Sequence, residues 1–132
     1  MNTDRETKGR IGLLEEGLTE KILQAAFKVQ NTLGCGFLEK VYENALVVEL
    51  RRQGIAVEQQ KSVHVRYDGA VVGEYQADLI VEGRVIVECK AIARFDPVHE
   101  AQLLNYLKAT GIRVGLLLNF ARPKLQYRRL VS

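Results

Sequence analysis

The spacing of apolar positions changes partway along this chain. Leu18, Ile22, Ala25, Ala26, Val29 and Leu33 recur every three or four residues, which places them on one face of a helix. Thr19 stands where a hydroxyl can cap the first turn, and Gly34 where a helix ends by passing into the left-handed region. After "GCG", a second helical pattern runs from about Phe37 to Gln53 through Leu38, Val41, Tyr42, Ala45 and Leu50, and Gly54 stops it. Beyond Gly54 the period drops to two. "IAVEQQ" and "SVHVRY" read as one strand or two adjoining strands, and Asp68-Gly69 is the strongest hairpin signal in the chain. "AVVGEYQADLIV" and "RVIVECKA" follow as strands. Pro97 opens a helix that runs to about Ala109 and closes at Gly111. "IRVGLLLNF" is nearly all apolar, as expected of a strand covered on both faces, and "LQYRRLV" adds a short edge strand. The predicted order is α-α-β-β-β-α-β plus that edge strand: an α/β domain with a mixed sheet flanked by helices. Residues 1–17 lack periodicity and are expected to be a flexible arm, leaving 18–132 as one domain.

The hairpin "QADLIVEGRVIVECKA" carries charge where a core would be expected. Side chains alternate along a strand. Leu79, Val81, Val85, Val87 and Cys89 fall on one face, while Asp78, Ile80, Arg84, Ile86, Glu88 and Lys90 fall on the other. For the two apolar sets to share a face, the loop must hold an odd number of residues, because a one-residue slip flips every side chain. A three-residue loop, Val81-Glu82-Gly83 with Gly83 left-handed, is therefore expected. Asp78 and Glu88 then stand near each other on one surface, with Lys90 facing the same way. Two close carboxylates raise one another's pKa unless positive charge lies between them. Lys90 supplies some of that charge, and a hard divalent ion with oxygen ligands would supply more. A metal and a lysine beside a phosphodiester could stabilise developing anionic charge and activate a water. The competing explanation is a structural ion pair on a solvated sheet face.

Composition narrows the setting. The chain has 132 residues, one domain's worth. Its apolar runs are too short for a membrane span, and its first residues mix both signs of charge without the apolar stretch of a secretory signal. A cytoplasmic location is the expectation. Cys35 and Cys89 have neither disulfide-framework nor zinc spacing, and Cys89 reads as a buried thiol. The net charge is +3, but residues 112–132 hold Arg113, Arg122, Lys124, Arg128 and Arg129 and no acid. Such an edge suits phosphate contact, or is simply a solvated tail. His64 alternates with Val63 and Val65 on an exposed strand side, and His99 has no nucleophile or metal-ligand spacing beside it.

Asp78 followed by Glu88-Cys89-Lys90 resembles the PD-(D/E)XK nuclease superfamily, whose restriction-endonuclease-like core has a helix, three strands, a helix and a strand. "GFLEKVY" (Gly36, Glu39, Tyr42) resembles the signature of the GxxExxY family assigned to that superfamily, and "QLLNY" (Gln102, Tyr106) is similar to its QxxxY motif. The resemblance covers roughly Leu18 to Phe120. It implies a metal-dependent nuclease that uses Mg2+ or Mn2+ and acts on nucleic acid, most naturally DNA. By position, Asp78 and Glu88 would bind metal, and Lys90 would orient or activate the attacking water. The Cys89 carbonyl would add a metal ligand, and Glu39 would complete the site. Gln102 and Tyr106, with Tyr42, Arg128 and Arg129, would support the site or touch nucleic acid. Ala77 stands where the signature has proline.

Plainer roles exist for several of these residues. Glu39 lies in a first helical turn, where an acid meets the helix dipole favourably. Tyr42 falls on an apolar stripe, and Gln102 and Tyr106 are four apart and could bond each other. The alternative functions are a non-catalytic nucleic-acid-binding module or a protein-interaction module retaining the fold. In the latter the edge strand docks another chain, a homo-oligomer included.

Overall fold

Two helices, α1 (Glu16–Leu33) and α2 (Glu39–Arg52), pack on one face of a five-stranded sheet, and a third, α3 (Pro97–Thr110), covers the other. The computed structural model describes residues 13–132; most of the arm expected over 1–17 lies outside the described residues. The strands are β1 (Val57–Tyr67), β2 (Ala70–Val81), β3 (Val85–Lys90), β4 (Val114–Asn119) and β5 (Gln126–Val131), side by side in that order. Only β3 and β4 pair in parallel, with α3 as their crossover; every other neighbour is antiparallel. Among the described residues, no helix is long and apolar enough to cross a membrane.

The start of α1 differs from the sequence expectation. Glu15, with φ 54, takes the N-cap position, and Thr19 lies inside the helix, where its hydroxyl donates to the Glu15 and Glu16 carbonyls at 3.0 Å each. A threonine can satisfy its hydroxyl in this way on the preceding turn, so it need not mark a terminus. "IAVEQQ" and "SVHVRY" join as the single strand β1, in which Gln60 takes φ 54 and the pairing skips both Gln60 and Asp78. Helix α3 starts with a reciprocal cap: Asp96 accepts from Val98 N, and His99 Nδ1 accepts from Asp96 N at 3.2 Å. His99 is thus occupied in holding the helix entrance.

Both hairpin turns use left-handed residues. Asp68 and Gly69 (φ 49 and 82) close the Tyr67–Ala70 turn, as two-residue hairpins require. The second loop is odd-numbered, as the parity of its apolar positions demands, but it comprises Glu82-Gly83-Arg84. Val81 pairs with Val85, and Arg84 N donates to Val81 O at 2.9 Å. Glu82 (φ 54) shares the left-handed conformation with Gly83 (φ 66), which shifts the loop by one residue. Continued past the pair Leu79–Val87, this register sets Asp78 opposite Glu88.

The core has two sides. Leu79, Val81, Val85, Val87, Cys89, Leu116 and Leu118 pack under α1 and α2. Ile80, Ile86 and Leu117 pack under Leu103, Tyr106 and Leu107 of α3. The charged face of the hairpin is therefore roofed by α3 rather than solvated. Each fully buried Leu, Ile or Val contributes about 1.5–3 kcal/mol, so both helical layers clamp the sheet. The tightest approach is at Gly115 of β4, where an added Cβ would meet three Leu103 side-chain atoms at 3.0 Å. Gly115→Val should destabilise the fold by about 1–3 kcal/mol through overpacking, measured by urea denaturation. Leu103→Ala in the same chain should recover part of the loss; an unchanged midpoint in Gly115→Val would contradict this packing.

Candidate functional site

The β2–β3 ladder ends at Leu79 and Val87. Just beyond, side chains take over from the backbone. Asp78 N donates to Glu88 Oε2 at 2.8 Å, and Cys89 N donates to Asp78 Oδ2 at 2.9 Å. Each carboxylate thus captures a backbone N–H across the gap and holds the strands apart in a fork. The other Asp78 oxygen, Oδ1, accepts from Gln60 Nε2 at 3.2 Å, and that same nitrogen donates to Glu43 Oε2 of α2 at 2.9 Å. Glu43 is buried and also accepts from Lys40 Nζ and, at 2.7 Å, from Gln59 Nε2.

Burial dominates the electrostatics. It pushes the Glu88 carboxyl up to about 8, with the Asp78 charge adding to it; the bond from Asp78 N and the Lys90 ammonium oppose the rise. Asp78 is likewise raised, first by burial; the Cys89 N–H bond opposes this, and the Glu43 charge adds to it. Asp78 and Glu88 thus sit together, with Glu43 linked to Asp78 through Gln60 and Lys90 as a nearby cation that lowers both. Across the fork, burial and the charges of Glu88 and Asp78 raise the Tyr106 phenol, keeping it protonated.

Most residues singled out from sequence lie around this fork. Lys90 is half-buried at the end of β3, its carbonyl accepting from Phe120 N at 2.9 Å. Glu39, in the first turn of α2, accepts from Ala91 N at 3.2 Å and so sits just past the Lys90 position. Cys89 is buried under α1 and α2, its thiol pushed well up by burial. Tyr106 packs in the cluster with Ala77 and Ile86 beside the acids, whereas Gln102 is exposed one turn earlier and makes no bond to Tyr106 among the described residues. The solvated ion pair does not form: Asp78 and Glu88 bond to backbone, and no ion pair joins either of them to Lys90 among the described residues.

Three other residues have structural surroundings. Tyr42 is fully buried and stacks on Phe120 at 4.7 Å, its hydroxyl donating to Gly34 O at 2.7 Å and accepting from Phe37 N. It can brace the Gly34–Phe37 link but cannot touch a ligand. Arg128 and Arg129 do not form one basic edge, because strand alternation sends them to opposite faces. Arg128 lies over the Phe95 ring at 5.2 Å and 3.6 Å from Glu100, while Arg129 is buried and donates to Leu14 O. The site residues absent from the sequence expectation are Glu43 and Gln60. Glu43 had a signal, one helical turn after Glu39 on α2; the left-handed backbone of Gln60 had none.

The donor set fits a hard cation. Among the described residues no three His, Cys, Asp or Glu side chains converge to enclose an ion. Asp78 and Glu88 match an ion that takes one or two carboxylates and completes its shell with water and phosphate oxygens. The raised carboxyl pKa values are the electrostatic load that such an ion relieves.

Comparison with known proteins agrees with the fold. Residues 16–130 match a family model described as the PD-(D/E)XK nuclease superfamily. The solved structure of SSO0001 superposes with a TM-score of 0.53 at 16% sequence identity, the match covering 89% of this chain and 59% of that one. At that identity the likeness shows a shared fold, and this chain spans little more than half the length of that structure. No curated protein sequence matches this chain significantly.

Raised carboxyl pKa values make stability depend on pH. Folded Glu88 binds its proton more tightly than the unfolded chain does, so its contribution is complete below pH 4.5 and is lost as pH rises towards about 8. Without divalent ions, the urea midpoint should fall across that interval. Glu88→Gln should flatten the slope and be the more stable protein at pH 8. A wild-type midpoint that is constant or rising from pH 5 to 8 in EDTA would contradict the burial of this group.

Proposed function

The chain belongs to the PD-(D/E)XK nuclease superfamily, and from that premise we propose that it is a metal-dependent nuclease whose centre is the Asp78–Glu88 fork. The carrying observation is the reciprocal capture of backbone N–H groups, which fixes the buried Glu88 and half-buried Asp78 carboxylates, both with raised pKa, side by side next to Lys90. The Gly36, Glu39 and Tyr42 spacing supports placement in the GxxExxY group. Mg2+ or Mn2+ is the proposed ion and DNA the proposed substrate.

When bound, a divalent ion supplies charge neutralisation and Lewis acidity at the scissile phosphodiester. Asp78 and Glu88 would hold it, with the Cys89 carbonyl as a further oxygen donor. Glu39, which accepts from Ala91 N, would support the site from beyond Lys90. Lys90 orients the attacking water and offsets negative charge as the phosphorane-like transition state forms. The protonated Tyr106 hydroxyl is available to donate to a phosphate oxygen. Glu43, through Gln60, sets the rotamer of Asp78.

A second reading is favoured by one observation: the Gln60 amide already bridges Glu43 and Asp78, as it would in a non-catalytic module that binds nucleic acid. That module would bind with steep salt dependence and no turnover. Incubation with linear, circular and single-stranded DNA, and with RNA, separates the two. The nuclease should cleave in Mg2+ or Mn2+ and not in EDTA. Asp78→Asn and Glu88→Gln should each lose at least about a hundredfold, and Lys90→Ala about 10²–10⁴-fold. Cleavage unchanged in Asp78→Ala and Glu88→Gln would remove these residues from the mechanism.

A further inference from the structure

A groove of about 880 Å³ lies between the outer half of the β1–β2 hairpin and α3. Tyr106 is the shared wall. It lines the groove and also packs with Ala77 and Ile86, which flank Asp78 and Glu88 along their strands. From β2, Tyr75 stands 6.0 Å from Tyr106, tilted 43°, and remains 52% exposed. Gly73 lies on the same strand face; a Cβ there would sit 3.5 Å from the Tyr75 ring, so its absence leaves one side of that ring open. Exposed Val72 and Val98 extend the apolar rim, and the lining adds Arg66 and Lys108, with His64 held 3.4 Å from Glu74 at the edge.

We propose that this groove binds an unpaired nucleic-acid strand, stacking a base on Tyr75 and leading the neighbouring phosphodiester past Tyr106 to the fork. The proposal rests on the nuclease reading of the fork and adds the substrate class. An exposed ring with aliphatic neighbours gives bases a stacking platform, and the Arg66 and Lys108 charges suit the phosphates; this combination characterises single-strand binding. The volume falls within the range that holds one compact ligand, which suits a nucleotide or two and not a duplex, whose bases are already stacked on each other. Tyr106, shared between the groove and the cluster beside Asp78, gives the bound strand a direction.

Fluorescence anisotropy in EDTA, with a labelled short oligothymidylate and a hairpin duplex of equal length, tests the proposal without turnover. The single strand should bind more tightly than the duplex. Tyr75→Ala should weaken single-strand binding about 5- to 100-fold, Tyr75→Phe should retain it, and Gly73→Leu, whose backbone is not left-handed, should weaken it by filling the space beside the ring. Arg66→Ala and Lys108→Ala should each reduce the salt slope by about one. Equal or tighter duplex binding, or single-strand affinity unchanged in Tyr75→Ala and Gly73→Leu, would overturn the groove assignment. So would self-association that depends on Tyr75 without strand binding. Metal-dependent cleavage together with Tyr75-independent binding sinks the groove and spares the nuclease. Tyr75-dependent binding without cleavage in any metal does the reverse.

Discussion

The central constraint in this protein is that two carboxylates replace backbone carbonyls where a sheet comes apart. Had β2 and β3 continued pairing past Leu79 and Val87, Asp78 and Glu88 would be ordinary cross-strand neighbours. Instead each accepts a backbone N–H from the opposite strand. A buried N–H left unpaired costs about 1–3 kcal/mol, so the acids are required for the fork as well as for any chemistry there. The same bonds fix both rotamers, and burial raises both pKa values. Structure and electrostatics are thus coupled through the same four atoms.

The surrounding elements hold the fork from several sides. From α2, Glu43 reaches Asp78 through Gln60, and Glu39 holds the chain just beyond Lys90. From β4, the buried Asn119 donates to Ile92 O and accepts from Ile92 N, while Arg122 donates twice to Ala93 O. The segment leaving β3 is therefore pinned on its far side. Tyr42, stacked on Phe120 and bonded at Gly34 and Phe37, ties the start of α2 to the end of β4. From α3, Tyr106 packs against Ala77, beside Asp78. Preorganisation of this kind keeps charged groups in place before a substrate arrives.

Much of this was legible in the sequence, for identifiable reasons. Period-two alternation located β2 and β3, and loop parity put Asp78 and Glu88 on one face even though the loop itself lies one residue further on. The shift came from Glu82 adopting a left-handed conformation, which a glutamate takes only when the surroundings hold it there. The competing explanation, an ion pair on a solvated face, could stand in the sequence because alternation along a strand does not reveal what covers it; α3 does. Thr19 was misassigned because a hydroxyl serves a helix interior as readily as its cap. Arg128 and Arg129 looked like one basic edge in sequence, but neighbours on a strand point to opposite faces. Gln60 was invisible because its contribution depends on a backbone angle.

The account stands on a cation held between Asp78 and Glu88, and anomalous scattering from a manganese-soaked crystal tests it most directly. The expected result is one strong peak about 2.0–2.3 Å from an oxygen of each carboxylate, with the Asp78→Asn crystal lacking it. A peak bound elsewhere, or an empty fork at saturating manganese with both carboxylates still bonded to backbone N–H groups, would contradict it.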